Sequence, residues 1–152
     1  MNQGRLAGIA RHARPRGPIE TLDAVRVTVE GGLDGDFRGA IKPGGRGKRQ
    51  VSLMEAGDWD AAMAEIGHTL PWSARRVNLL VDQFDLPQLA GTRLRIGAVL
   101  IEITQECDPC SRMEEIAAGL KAALASDWRG GALGRVIEGG ELRIGDAIGI
   151  ET

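Results

Sequence analysis

At 152 residues, with 43% of them apolar and 26% charged, the chain has the size and mix of one folded domain with a buried core, which excludes a disordered or fibrous protein. No apolar run approaches the roughly 20 residues of a membrane-spanning helix, and Met1–Arg5 leads into no stretch of signal-peptide length, so a cytoplasmic protein off the membrane is expected. The net charge of −2 is split: residues 1–49 carry ten basic and five acidic side chains, and residues 50–152 carry nine and sixteen. An acidic chain with few aromatics is no general nucleic-acid binder, although its basic first third suits a local anion site.

Leu6–Ala10 reads as a short strand, followed by a turn at Pro15 and Pro18. Val25, Val27 and Val29 alternate in Ala24–Val29, the mark of a half-buried strand. Residues 31–49 hold seven glycines and almost no periodicity, which predicts an extended, mobile loop. Within it Arg38, Lys42, Arg46, Lys48 and Arg49 fall in twelve residues without an acid. Glycine lets backbone N–H groups approach a phosphate, and arginine binds one with both arms of its fork, but the same string also suits a solvated basic loop.

Gln50–Met54 predicts a strand that runs into a helix. Trp59, Met63 and Ile66 then recur at helical spacing, and Gly67 is placed to stop the helix. Strands are expected at Val77–Val81, after Arg75-Arg76, and at Arg93–Ile96 and Val99–Thr104, joined at Gly97. A second helix is expected from Ser111 to Ala125. The chain then closes with Arg135–Ile137, a Gly139-Gly140 hairpin, Leu142–Ile144 and Ile148–Ile150. Gly130-Gly131 reads as a turn first and a ligand loop second. No linker divides the chain, so a single domain over 1–152 is expected: mostly β, a distorted barrel with two helical insertions.

The two cysteines stand three apart in Cys107-Asp108-Pro109-Cys110. A zinc half-site would need two more ligands, and His12 and His68 are isolated and read as surface residues. A thioredoxin-like redox pair fits the C-x-P-C string but not a β-rich chain. Simple packing suits Cys107 better than Cys110. At the start of a helix, Cys110 meets free N–H groups and has Arg112 two residues on, which favours a thiolate, although Asp108 opposes it.

The segment Thr104–Met113 resembles the threonine…proline-cysteine-x-basic-apolar string of MOSC domains, the C-terminal domain type of molybdenum cofactor sulfurases. Gly32-Leu33-Asp34-Gly35-Asp36, Arg49-Gln50-Val51, Arg76-Val77-Asn78 and Glu138–Asp146 are similar to further family segments in the same order, so the resemblance covers nearly the whole chain.

The resemblance implies a β-rich fold that binds molybdenum cofactor, a metal held by an anionic, phosphate-bearing pterin. In that reading Cys110 is the reactive residue and the molybdenum ligand. Arg49, Arg76, Asn78, Arg112, Arg129 and Gly130 would gather around it to hold the pterin. Pyridoxal phosphate is not expected, because no desulfurase domain and no Schiff-base lysine motif is present in this chain. The leading expectation is a reductase of N-oxygenated substrates fed by an electron-transfer partner. A second is a sulfur carrier loaded on Cys110 by a desulfurase partner, and a third is a non-catalytic anion-binding module.

Overall fold

The computed structural model describes residues 4–151. Strand accounts for 37% of the chain and helix for 18%. In order, the strands are β1 (Gly4–Arg11), β2 (Glu20–Leu22), β3 (Ala24–Thr28), β4 (Gly32–Leu33), β5 (Val51–Glu55), β6 (Leu79–Asp82), β7 (Arg93–Ile96), β8 (Val99–Glu106), β9 (Ala132–Glu138), β10 (Gly140–Arg143) and β11 (Ala147–Glu151). The helices are α1 (Ala56–Ile66), α2 (Ser111–Ile116) and α3 (Leu120–Leu124), with a 3-10 turn at Trp72–Arg75.

Seven strands close into a barrel in the order β11, β7, β8, β9, β5, β6, β1 and back to β11. The seam pairs Gly4 with Ile148 and Arg5 with Ala147. The pair β5–β6 is parallel, because α1 carries the chain over the outside of the barrel between them. A small sheet, β10-β3-β4, lies beside the barrel, and β2 pairs with β1 as an extra strand of the barrel sheet.

The two-residue period of the strands divides the core. Val51 and Leu53 of β5, and Leu79 and Val81 of β6, point into the barrel with Leu6, Ile9, Leu94, Ile96, Ile101 and Ile103. Met54 and Leu80, one residue out of step, point outward into a second core with Trp59, Met63, Met113, Leu120 and Leu124. Both faces of β5 and β6 are therefore buried, which is why they read as nearly continuous apolar runs. The helix predicted from Trp59 and Met63 forms with both residues buried, and Gly67 at φ 70° ends it with its N–H on the Met63 carbonyl.

Three expectations change. The second helix is broken: Gly119 at φ 86° separates α2 from α3, and the Glu114 carboxylate accepts the N–H groups of Gly119 (2.9 Å) and Lys121 (3.4 Å) in the gap. Gly139-Gly140 makes no hairpin, since β9 pairs with β8 and β5 while β10 pairs with β3. The glycines turn the chain out of the barrel into the small sheet, with Gly139 packed on the Val27 carbonyl. The basic segment, expected to be a free loop, contains β4 and is tied down by Gln50. That side chain, 2% exposed, donates to Val29 (2.8 Å) and Gly39 (2.9 Å) and accepts from the Val136 N–H (2.8 Å).

No helix among the described residues is long and apolar enough to cross a membrane.

Candidate functional site

One end of β1, the 3-10 turn, the start of β6 and the loop between β8 and α2 enclose a cleft of about 480 Å³. Cys110 lies exposed on it, as the residue that precedes α2, and Cys107 is buried in its wall. Of the arginines expected here, Arg49, Arg76 and Arg112 line the cleft, and Asn78 does too.

Asn78 is occupied structurally. Its amide oxygen accepts from the N–H (3.0 Å) and hydroxyl (3.1 Å) of Ser52, and its Nδ2 donates to the Ala10 carbonyl (3.1 Å). It thereby joins β1, β5 and β6 under the cleft floor.

Arg129 is not in the cleft. Asp127 and Trp128 both take positive φ (50° and 56°), and after that turn the Arg129 side chain lies against the helices, on Glu65 (2.9 Å) and the Ala123 carbonyl (3.1 Å). Gly130 belongs to the wall behind the cleft rather than to its surface. Its carbonyl accepts from Arg75, and a side chain there would strike the Cys107 carbonyl at 2.6 Å.

Sequence reasoning passed over two arginines of the cleft, Arg16 and Arg75, of which Arg75 is the buried one. It is 6% exposed, and its Nη2 donates to the carbonyls of Cys107 and Gly130 (both 2.9 Å) and to the Cys107 sulfur (3.4 Å). Arg76 beside it sits at φ 69°, a left-handed conformation uncommon for arginine, and donates to the Gly17 carbonyl at 2.7 Å. Neighbours in sequence thus serve different parts of the cleft.

His12, read as a surface residue, is a second correction: its side chain is 12% exposed and lines the cleft. It is buried by the loop after β4, where the Phe37 N–H donates to the His12 carbonyl (2.7 Å). Two acids line the cleft among these cations, Asp108 and Asp36, the last residue of the Gly32–Asp36 string. The Asp36 side chain is 2% exposed and accepts from the backbone N–H groups of His12 (3.2 Å) and Arg38 (3.3 Å). Arg16 and Arg38 complete the basic lining. Residue type and motif position could have flagged Asp36, but no local signal marks His12.

The electrostatics are those of an under-neutralised basic site. Burial lowers the Arg76 pKa, and Arg112 and Arg16 lower it further, with Asp36 opposing. Burial likewise lowers the His12 pKa; Asp36 opposes this, while Arg76, Arg38 and Arg112 add to it. His12 Nδ1, Arg75 Nε and Arg112 Nε are buried without a hydrogen-bond partner. Buried polar groups are nearly always paired, and these three gather around one cleft, with Asp36 Oδ1 3.9 Å from His12 Nδ1. No group of three or more His, Cys, Asp or Glu suited to a metal ion occurs among the described residues.

The MOSC domain sequence profile matches residues 28–149. No curated protein matches the chain by sequence. Among solved structures, the YuaD protein of Bacillus subtilis superposes with a TM-score of 0.75 at 16% identity, covering 96% of this chain and 94% of its own. YiiM of Escherichia coli gives 0.71 at 17% identity, covering 97% and 70%. YiiM of Geobacillus stearothermophilus gives 0.72 at 15%, covering 98% and 75%. At these identities the likeness concerns the fold.

Proposed function

Because the chain belongs to the MOSC domain family, we propose that its cleft holds molybdenum cofactor and that the protein reduces an N-oxygenated substrate with electrons from a partner protein. The observation that carries this reading is the joint presence, in one cleft, of an exposed thiol and of arginines whose buried nitrogens lack acceptors. When bound, the cofactor supplies a metal able to accept an oxygen atom from substrate in a two-electron step.

The protein's own contribution is to bind and orient. Arg112 and Arg76 would hold the anionic pterin phosphate, with Arg16, Arg38 and Arg49 adding positive potential. Arg129 has no part in this, and Gly130 acts only by letting the Cys107 loop pack closely. Cys110 provides a soft sulfur ligand. Because no group of three or more His, Cys, Asp or Glu among the described residues could cage a metal, one held by Cys110 would bring its other ligands with it. Asp36 holds the backbone of His12 and Arg38 in place, and the His12 side chain forms part of the cleft lining.

Expression in a host that makes the cofactor tests the reading, with molybdenum and pterin measured per chain. The wild type should retain both. Cys110→Ser should lose the metal, Arg112→Ala should lose metal and pterin together, and Cys107→Ser should keep both. A wild-type protein free of molybdenum, or equal loss in the two cysteine variants, would overturn it.

The exposure of Cys110 favours one second reading, in which a partner loads this thiol with a persulfide for delivery elsewhere. Intact mass showing one added sulfur, absent from Cys110→Ser, would select it.

A further inference from the structure

The loop from Cys107 to Cys110 sets two thiols against one cleft, one fixed and one free. Cys107 is held at three points. Its N–H donates to the Gly131 carbonyl (2.9 Å), and Arg75 Nη2 reaches both its carbonyl (2.9 Å) and its sulfur (3.4 Å). Cys110 is exposed, and its side chain makes no capping bond to α2. Three residues span at most about 11 Å of extended chain, and the pair opens directly into α2, so bringing the sulfurs together needs rotation within one short loop.

Arg75 is the second observation. It is nine-tenths buried and lies within 4.0 Å of no carboxylate among the described residues, and its Nε has no partner. Besides holding the Cys107 and Gly130 carbonyls, the guanidinium places an N–H donor 3.4 Å from the Cys107 sulfur. Thiol–disulfide exchange runs through sulfur atoms that carry negative charge, and a guanidinium donating to one of them stabilises that charge.

We propose that Cys107 and Cys110 form a dithiol–disulfide pair, with Cys110 the thiol that meets an incoming low-molecular-weight disulfide and Cys107 the thiol that resolves it. Closure of the pair withdraws Cys110 from the ligand of the cleft; this consequence rests on the reading of Cys110 as the metal-binding thiol. In the first step the Cys110 sulfur, its proton lost to solvent, attacks the small disulfide. A mixed disulfide forms on Cys110, and the other half leaves as a thiolate. In the second step the Cys107 sulfur, also deprotonated, attacks the Cys110 sulfur. The Cys107–Cys110 bond forms, the bond to the small thiol breaks, and a second thiolate leaves. Two protein thiols are oxidised, one small disulfide is reduced to two thiols, and excess small thiol reverses both steps.

Oxidised glutathione is the probe, applied to the folded full chain and read by intact mass. The wild type should lose two hydrogens and carry no adduct. Cys107→Ser should accumulate one glutathione on Cys110, and Cys110→Ser should remain unmodified. If Cys107→Ser fails to fold, Cys107→Ala takes its place. A stable adduct on wild-type Cys110, or modification of Cys107 in Cys110→Ser, would overturn the proposal. Molybdenum retained by the holoprotein before and after oxidation separates this inference from the cofactor reading. A disulfide that forms in a protein never found with molybdenum refutes only the cofactor reading. Bound molybdenum with no disulfide refutes only the switch.

Discussion

Arg75 holds Cys107 by two atoms, with one guanidinium nitrogen 2.9 Å from the cysteine carbonyl oxygen and 3.4 Å from its sulfur. The same nitrogen takes up the Gly130 carbonyl. Arg75→Leu should therefore leave two buried carbonyls without a donor, at a cost of about 1–3 kcal/mol each. Thermal unfolding should register a fall of about 2–4 °C for each kcal/mol. An unchanged melting temperature would show that the loop does not depend on this contact.

Arg112 should behave in the opposite way. Its Nε is buried without a partner, and it lowers the pKa of Arg76 by repulsion. Removing it relieves strain in the free protein while costing the ligand a charge-assisted contact of about 1.5–3 kcal/mol. Arg112→Gln should weaken binding of sulfate, used as a simple dianion, by about tenfold or more. The melting temperature should stay level or rise. Calorimetric titration and a melting curve on the same variant decide the matter.

His12 gives the cleft a pH dependence. Burial, its largest influence, lowers the folded pKa below the ordinary 6.5, so the folded protein favours neutral imidazole. Below pH 6.5 the unfolded chain takes up a proton that the folded one resists, and stability is lost as the pH falls from there through the folded pKa. A bound anion reverses the preference by stabilising imidazolium. Sulfate, which does not itself titrate in this range, should bind more tightly as the pH drops, and His12→Gln should flatten that slope.

Much of the fold was legible in the residues. Val25 and Val27 alternate because β3 has one face on the core, and Trp59 and Met63 repeat because α1 has one face on β5 and β6. What escaped was set by distant partners. A two-residue strand such as β4 exists only because Leu33 finds Val27. Choosing among arginines was harder still. Arg49, Arg76 and Arg112 reach the cleft and Arg129 does not, although all four share one side chain. For Arg76 and Arg129 the chain direction is set at positive φ, at Arg76 itself and at Asp127 and Trp128, none of which is a glycine that would announce it. His12 is buried by a loop more than twenty residues away, so nothing around it in the chain could have marked it.

Glu55 provides a test away from the cleft. Burial, with Asp58 and Asp85 nearby, raises its pKa to about 7, against an accepted hydrogen bond from the Leu86 N–H. The folded protein thus keeps a proton that the unfolded chain releases near pH 4.5, and stability declines as the pH rises from there through about 7. Glu55→Gln keeps the shape and an oxygen for Leu86 but cannot ionise. It should be more stable than wild type at pH 8 by about 1 kcal/mol, once the half-exposed position is discounted for solvent screening. At pH 4 the two proteins should melt together.

The seam that pairs Gly4 with Ile148 also sets a timetable for synthesis. The ribosome makes β1 well before β11, so the barrel cannot close until β11 has emerged. Until then the Gly4–Leu6 end of β1, and the edge of β7 that awaits β11, stand open as templates for wrong pairing. Closure through such distant partners is intrinsically slow, on the milliseconds-to-seconds scale of β topologies. The nascent chain therefore carries these open strand edges until β11 is made and paired.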